Sequence, residues 1–253
     1  MTAMPAAAVS TAPPPPRPRT PDWDDFIAPT ATRYALQRLV DEHRAAPHLA
    51  TYGLRPRQQI VLVGPPDCGQ SFVVNRLADL FGMRPQSLSF EAWAAQDAAA
   101  QWGALDAWAA SGALLVLRHA SLFGEPSPTL RTAPAARRFL AWWDEAPVGP
   151  TYVVRDVAVR PSAREVMRAF PDAISLDKPT PEFTEAFVRE RLAGWTVNAD
   201  AIVRLRQPAV GLSFGDLARM VANAQKAALL TATALEDCLQ QAMIEEQRRL
   251  REV

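Results

Sequence analysis

The spacing of apolar residues changes near residue 178. Before that point, short apolar runs typical of buried strands alternate with segments whose apolar residues recur every three or four positions, as on one face of a helix. After it, only the helical spacing remains. The predicted strands are residues 60–63, 87–93, 113–117, 151–154 and 173–176. The predicted helices are 29–44, 71–81, 96–111, 135–146 and 162–169, then 182–192, 200–205, 213–230 and 233–251.

This alternation of strands and helices predicts a doubly wound parallel α/β fold for the first part of the chain. The run 113–117, ALLVL, is apolar throughout, as expected of a strand buried on both faces of a parallel sheet. We therefore predict an α/β domain over 22–178 and a small all-helical domain over 179–253. Residues 1–21 carry almost no large apolar side chains and end in a proline run, which predicts a disordered tail.

Composition and charge narrow the classes of function. The chain has 253 residues, is 49% hydrophobic, and contains 27 basic and 27 acidic residues, so it offers no general attraction to nucleic acid or anionic membrane. No apolar run approaches the roughly 20 residues that cross a bilayer, and no signal-peptide pattern opens the chain. Two cysteines and three histidines show no metal-ligand spacing. These features predict a cytoplasmic protein without a membrane segment or a metal site.

One stretch carries a recognisable chemical pattern, IVLVGPPDCGQSF at 60–72, in which an apolar strand leads through a turn into a helix. Against the phosphate-loop pattern G-x-x-x-x-G-K-[ST], Gly64, Gly69 and Ser71 are in place, but Gln70 stands at the lysine position. Such loops bind phosphate through backbone N–H groups and a helix N-terminus, while the lysine neutralises phosphate charge. The pattern therefore predicts a phosphate-type loop without its cation.

Other residues of this loop also bear on its chemistry. Asp67 places a negative charge beside the expected phosphate position, and the first lysine of the chain is Lys178, outside the predicted strands and helices of the α/β part. Ser71 retains a hydroxyl that would ligate Mg²⁺ if a nucleotide were bound. Cys68 is interpreted as a small space-filling residue, because no histidine is evident as a base for it. We expect phosphate binding by this loop to be weak.

Four segments follow one another in an informative order: GLRPRQQIVLVGPPDCGQS (53–71), GALLVLRHASLFG (112–124), residues 150–182, and GLSFGDLARMVANAQKAALL (211–230). In this order the chain resembles the AAA+ ATPases, in particular compact bacterial members. The segments are similar to the Walker A loop, the Walker B strand, the region from sensor 1 to the lid, and the sensor-2 helix. The resemblance covers about residues 25–245 and implies a phosphate-loop AAA+ domain followed by a helical lid.

The same resemblance implies that the catalytic set is degenerate. The Walker B strand of the family ends in two carboxylates, whereas here it runs into Arg118 and His119, and the sensor-1 position corresponds to Ala158. Arg118 either binds phosphate directly or is a surface arginine at a strand end. No catalytic residue and no metal site are therefore expected. The residues of the degenerate nucleotide site would be Gly64, Gly69, Gln70, Ser71 and Arg118.

Two further arginines have roles implied by the resemblance. Arg168 corresponds to an arginine finger, which would act in trans on the nucleotide of a neighbouring subunit; alternatively it is a helix-surface residue paired with Glu165 or Asp172. Arg219 lies in the segment similar to the sensor-2 helix and is either a sensor-2 residue or a surface residue. The sequence leaves both pairs of alternatives open.

The leading hypothesis is a pseudo-ATPase that serves as a structural or regulatory subunit. It would form a hetero-oligomer with an active AAA+ protein, or a homo-oligomer, with Trp142 and Trp143 as candidate interface residues, although core packing is the commoner fate of tryptophan. A second hypothesis is a switch that binds ATP or ADP, with Mg²⁺, without hydrolysing it. A third is a DNA-associated AAA+ adaptor, whose basic residues would be Arg17, Arg19, Arg55 and Arg57.

Overall fold

The computed structural model describes residues 22–23, 25–120, 134–145, 152–156 and 172–252. The predicted tail 1–21, the predicted helix 162–169, and the candidate residues Ala158 and Arg168 lie outside these ranges.

The first part of the chain is a layered α/β structure. Its helices are α1 (Thr30–Arg44), α2 (Ala46–Ala50), α3 (Gln70–Phe81), α4 (Phe90–Ala94), α5 (Ala98–Ala109) and α6 (Pro134–Glu145). Its strands are β1 (Gln59–Val63), β2 (Pro85–Ser89), β3 (Leu114–Ala120), β4 (Tyr152–Asp156) and β5 (Ile174–Ser175). The described strands form one parallel sheet in the order β2-β3-β4-β1-β5.

Strand β1 is an interior strand, and its side chains alternate between two hydrophobic cores. Val61 and Val63 join the core formed with α4, α5 and α6, whereas Ile60 and Leu62 join the core formed with α1 and α3. All four are buried, which explains why residues 60–63 are apolar without interruption. The doubly wound α/β prediction is confirmed, and β1 delivers the phosphate-type loop to the carboxyl edge of the sheet.

Of the two alternatives for Trp142 and Trp143, an exposed interface is wrong and core packing is observed. Both are buried, with 5% and 3% of their surface exposed, and they pack in the core on one face of the sheet. Trp142 stacks on Trp108 of α5 with ring centroids 5.8 Å apart. Two adjacent tryptophans on α6 supply a wide apolar face, and the sheet and α5 cover it.

The predicted strand 87–93 is correct only in its first half. Strand β2 ends at Ser89, and α4 begins at Phe90. Phe90 and Trp93 are three residues apart, so they lie on the same face of a helical turn, and both enter the core beside Phe139. A short run with two large aromatic residues fits either a strand or a helix, and here the helix buries both rings.

Four helices follow the sheet: α7 (Pro181–Arg191), α8 (Ala199–Arg204), α9 (Phe214–Thr231) and α10 (Leu235–Glu252). They enclose a core of their own that includes Leu217, Met220 and Leu239. Helix α9 begins with a capping box, in which Ser213 and Asp216 satisfy each other's backbone N–H groups. The all-helical lid prediction is confirmed. Among the described helices, none is both long and apolar enough to span a bilayer.

Candidate functional site

The loop between β1 and α3 lies at the carboxyl edge of the sheet, where open α/β folds bind their ligands. Its first glycine, Gly64, faces the backbone that follows β5. A Cβ at Gly64 would lie 2.0 Å from the carbonyl oxygen of Leu176, and the Leu176 N–H donates to the Val63 carbonyl at 2.7 Å. Its second glycine, Gly69, caps α3 with φ at 100°, a left-handed conformation that favours glycine. Both glycines are required by the backbone.

The Gln70 side chain is turned into the loop. Only 1% of this residue is exposed, and its Nε2 donates a hydrogen bond to the carbonyl oxygen of Pro65 at 2.7 Å. The amide therefore ties the two ends of the loop together and brings no positive charge to it. Ser71, the next residue, is exposed. The structure thus brings the predicted loop residues together, with the neutral side chain inside.

The lid lies directly against this loop. The N–H of Gly215, in the first turn of α9, donates to the Asp67 carbonyl oxygen at 3.0 Å. Lys178 Nζ donates to the Gly211 carbonyl oxygen at 2.6 Å. Nothing in the sequence pattern had pointed to these contacts, although a glycine at the second position of a strongly capped helix was a usable signal, because glycine is a poor helix former there.

A cavity of about 250 Å³ lies between the loop and the lid. Its walls include two ring pairs: Phe26 stacked on Phe72 at 5.4 Å, and Phe187 against Phe214 at 5.2 Å. The charged residues that line it are Asp25, Asp67, Glu190 and Arg191. Because three carboxylates and only one guanidinium line this cavity, it would repel a polyanion such as a nucleoside triphosphate.

Cys68 lies in the same loop and is 1% exposed. Burial raises the pKa of its thiol to about 11. The thiolate is the reactive form, so Cys68 has little nucleophilic character at neutral pH. Its burial and raised pKa agree with the prediction of a space-filling residue.

We expect Cys68 to resist alkylation in the folded protein. At pH 8 a thiol with a pKa near 11 is about one part in a thousand ionised, and the side chain is also shielded from reagent. Treatment with iodoacetamide followed by peptide mass spectrometry should show modification of Cys68 only after denaturation. The buried Cys238 serves as an internal comparison. Rapid native labelling of Cys68 would show that the loop opens.

The other candidate residues occupy different places. The Arg118 backbone pairs with Ser89 of β2, which puts it near the carboxyl end of β3, with His119 following it in the same strand. The Arg219 guanidinium is engaged inside the lid, with Nε 2.7 Å from Glu246 and Nη2 2.5 Å from Asp216.

Two further predictions concern DNA contact by arginines and metal binding. Of the arginines proposed to contact DNA, Arg57 is paired with Glu42 through contacts of 2.9 and 3.0 Å. Within the described residues, no cluster of three or more histidine, cysteine or acidic side chains is arranged to hold a metal ion.

Comparisons with known proteins identify the fold. No protein-family model matches the sequence, and no curated protein matches it. Among solved structures, the FIGL-1 AAA domain superposes with a TM-score of 0.64 at 18% identity, covering 87% of this chain and 82% of that one. The same domain in complex with ADP gives 0.62 at 18% identity, covering 89% and 83%. The chain therefore has the AAA fold, an α/β domain followed by a helical lid.

Proposed function

We propose that this protein is a catalytically inactive AAA+ ATPase-like protein that acts as a structural or regulatory subunit beside an active AAA+ partner. The observation that best supports this is the position of Gln70. Its amide is buried and bonded to Pro65 within the loop, at the place where an active phosphate loop needs a lysine. The AAA fold is retained while the cation of its phosphate site is replaced by a neutral group.

The chemistry of phosphoryl transfer makes this loss severe. The reaction depends on positioned Mg²⁺ and on positive charge that neutralises the transferring phosphoryl group. The strand that resembles Walker B ends in Arg118 and His119 instead of acids, so the resemblance offers no carboxylate for the metal or the water. Removing one electrostatic contributor of this kind typically costs about 10²- to 10³-fold in rate. With both contributions missing, we expect turnover too slow for an ordinary phosphate-release assay to detect.

The purified protein is therefore expected to release no phosphate from ATP in a Mg²⁺-dependent manner. A steady-state phosphate assay with an active AAA+ ATPase as positive control measures this. The single variant Gln70→Lys should remain inactive, because the loop would regain its cation but the Walker B position would still lack its acids. Mg²⁺-dependent release by the wild-type protein that Gln70→Ala abolishes would contradict the proposal.

The subunit role needs its own test. Purification of the tagged protein from its native host should recover an AAA+ protein with intact Walker motifs. The ATPase rate of that partner is then measured with the wild-type protein and with Arg168→Ala. A lower rate with the variant supports action in trans through Arg168. A protein that sediments as a monomer and recovers no AAA+ partner argues against the role as a subunit.

A second candidate function is an ADP- or ATP-dependent switch without hydrolysis. It is favoured by the likeness to an AAA domain whose structure is described as in complex with ADP. The aromatic rings of the cavity beside the loop would suit a nucleotide base, whereas the three carboxylates of that cavity would repel the phosphates. Titration with fluorescent ADP separates the two candidates, since the leading proposal expects no binding at millimolar nucleotide. Gln70→Lys is the matched variant, because restoring the cation should strengthen any binding that uses the loop.

A further inference from the structure

We infer that this chain keeps its lid closed on the phosphate loop with a latch made of its own residues, so that lid orientation does not depend on nucleotide. The latch is the hydrogen bond from the Gly215 N–H to the Asp67 carbonyl oxygen, 3.0 Å long. It stands independently of the proposed role as a subunit, since it concerns only how the two parts of the molecule are held together.

The bond satisfies a backbone N–H group at the start of α9 that has no partner within the helix. The first N–H groups of a helix have no partner within the helix. Ser213 Oγ accepts one of them, from Asp216 at 3.1 Å, through the capping box. The Gly215 N–H is satisfied by a carbonyl of the other domain instead of by the lid itself. The phosphate loop thus completes the cap of the lid helix, and separating the two leaves that donor without its protein partner.

The contact also depends on close backbone approach. A Cβ at Gly215 would lie 2.7 Å from the Asp67 Cβ and 3.1 Å from its Cγ, closer than such atoms pack. Asp67 adopts a left-handed backbone conformation with φ at 58°, which aspartate tolerates better than most residues do. With Asp67 in place, the latch therefore requires that position 215 carry no side chain.

The latch is surrounded by side chains from both domains. Cys68, beside Asp67, is 1% exposed, and it lines a second cavity together with Phe26 of the α/β domain and Phe214 of the lid. Lys178 adds a second bond, to Gly211. Asp67 itself is exposed and Gly215 is half-buried, so these neighbours hold the two backbone segments together and do not seal the bond from water.

The test is whether removing the Asp67 side chain reverses the effect of adding a side chain at Gly215. Gly215→Ala should force the loop and the lid apart, because the new Cβ meets the Asp67 side chain. Asp67→Gly should preserve the latch, since it removes the side chain, keeps the carbonyl and suits the left-handed backbone. The double variant should therefore recover the closed lid. Gly103→Ala, at an α5 position where an added Cβ meets nothing within 4 Å, is the matched control.

Amide hydrogen exchange at residue 215 in the nucleotide-free protein is the readout, because this amide is bonded to Asp67 while those of Ser213, Asp216 and Leu217 are bonded within the lid. We expect wild type, Asp67→Gly, Gly103→Ala and the double variant to be protected at this residue. Gly215→Ala should exchange about tenfold faster or more, because the opened state is then populated. ADP should not change the protection of wild type. A double variant that exchanges as fast as Gly215→Ala would overturn the inference.

If Gly215→Ala does not fold, hydrogen exchange of the wild-type protein alone still tests the latch. Exchange of the Gly215 amide at the rate of an unstructured peptide, or protection that arises only when ADP is added, would each overturn the latch. Neither result depends on whether the protein hydrolyses ATP or has a partner. The latch and the proposed function therefore fail separately.

Discussion

Replacing Gly64 with alanine is expected to destabilise the α/β domain by about 3 kcal/mol or more. The added Cβ would lie 2.0 Å from the Leu176 carbonyl oxygen and 2.9 Å from its carbonyl carbon. Both are backbone atoms, so no side-chain rotation relieves the overlap. Leu176 is also fixed by its hydrogen bond to Val63, and relief of the overlap would have to move β5 away from β1.

Urea denaturation followed by circular dichroism measures this effect. Gly103→Ala is the control, because its added Cβ enters open space on helix α5. That control should be neutral or more stable by up to about 1 kcal/mol, since alanine is the better helix former. An unchanged denaturation midpoint for Gly64→Ala would show that the loop and the segment after β5 separate easily.

A large effect at Gly64 would give the glycine pattern of this loop a structural reason that does not involve a nucleotide. Gly64 is required by the approach of the Leu176 backbone, and Gly69 by its left-handed backbone conformation at the start of α3. Neither requirement involves a phosphate. The glycine spacing in this chain is therefore explained by the packing of the sheet and the start of α3, and it is not by itself a sign of nucleotide binding.

The sequence predicted the fold well because the relevant signals are local. The apolar run 60–63 and the helical spacing over 213–230 each specify an element, and the observed elements agree within one residue at their ends. The errors arose where packing between elements distant in the chain decides whether a side chain is buried. Trp142 and Trp143 give a helical face that fits an interface as well as a core, and only the position of α5 shows that the face is covered.

The candidate site likewise has features that a local sequence motif predicts and contacts that it does not predict. Gln70 and the glycines could be identified from a short motif, because loop chemistry is a matter of neighbouring residues. The contact between Asp67 and Gly215 joins residues far apart in the chain, and no periodic pattern encodes it. Arg219 was open between two roles for the same reason, since its partner Glu246 lies on a different helix of the lid.

Arg219→Met is expected to lower the stability of the lid by about 2 kcal/mol at pH 7. Arg219 joins Asp216 on its own helix to Glu246 on α10, and both carboxylates are nearly buried. Leaving buried carboxylates with fewer cations costs about 3–5 kcal/mol when the pair is fully buried. The smaller figure applies because the Arg219 side chain is 39% exposed and Arg249 remains 2.5 and 3.1 Å from the same two carboxylates.

The pH dependence identifies the cause. The hydrogen bond from Arg219, against the effect of burial, holds the pKa of Glu246 below its usual range. Burial raises the pKa of Asp216, but hydrogen bonds from Ser213 and Arg219 outweigh it and lower the net value. Because the pKa values of both carboxyl groups are lower in the folded lid than in the unfolded chain, ionisation stabilises the lid at pH values above about 4, the pKa of these groups in the unfolded chain. This stabilisation is lost as the pH falls through their pKa values in the folded lid. The difference between wild type and Arg219→Met should therefore be largest at neutral pH, change little down to about pH 5, and shrink as the pH falls below about 4.

Urea denaturation of both proteins between about pH 2.5 and pH 7 measures this difference. Arg38→Met is the matched control, because Arg38 pairs with Glu42 along one exposed helix face at 3.5 Å and is itself 57% exposed. It should change stability by at most about 0.5 kcal/mol at any pH. A loss in Arg219→Met that does not vary with pH would assign the effect to lost packing of the arginine side chain. Lid stability would then owe little to this ion cluster, and the charge assignment for Arg219 would be wrong.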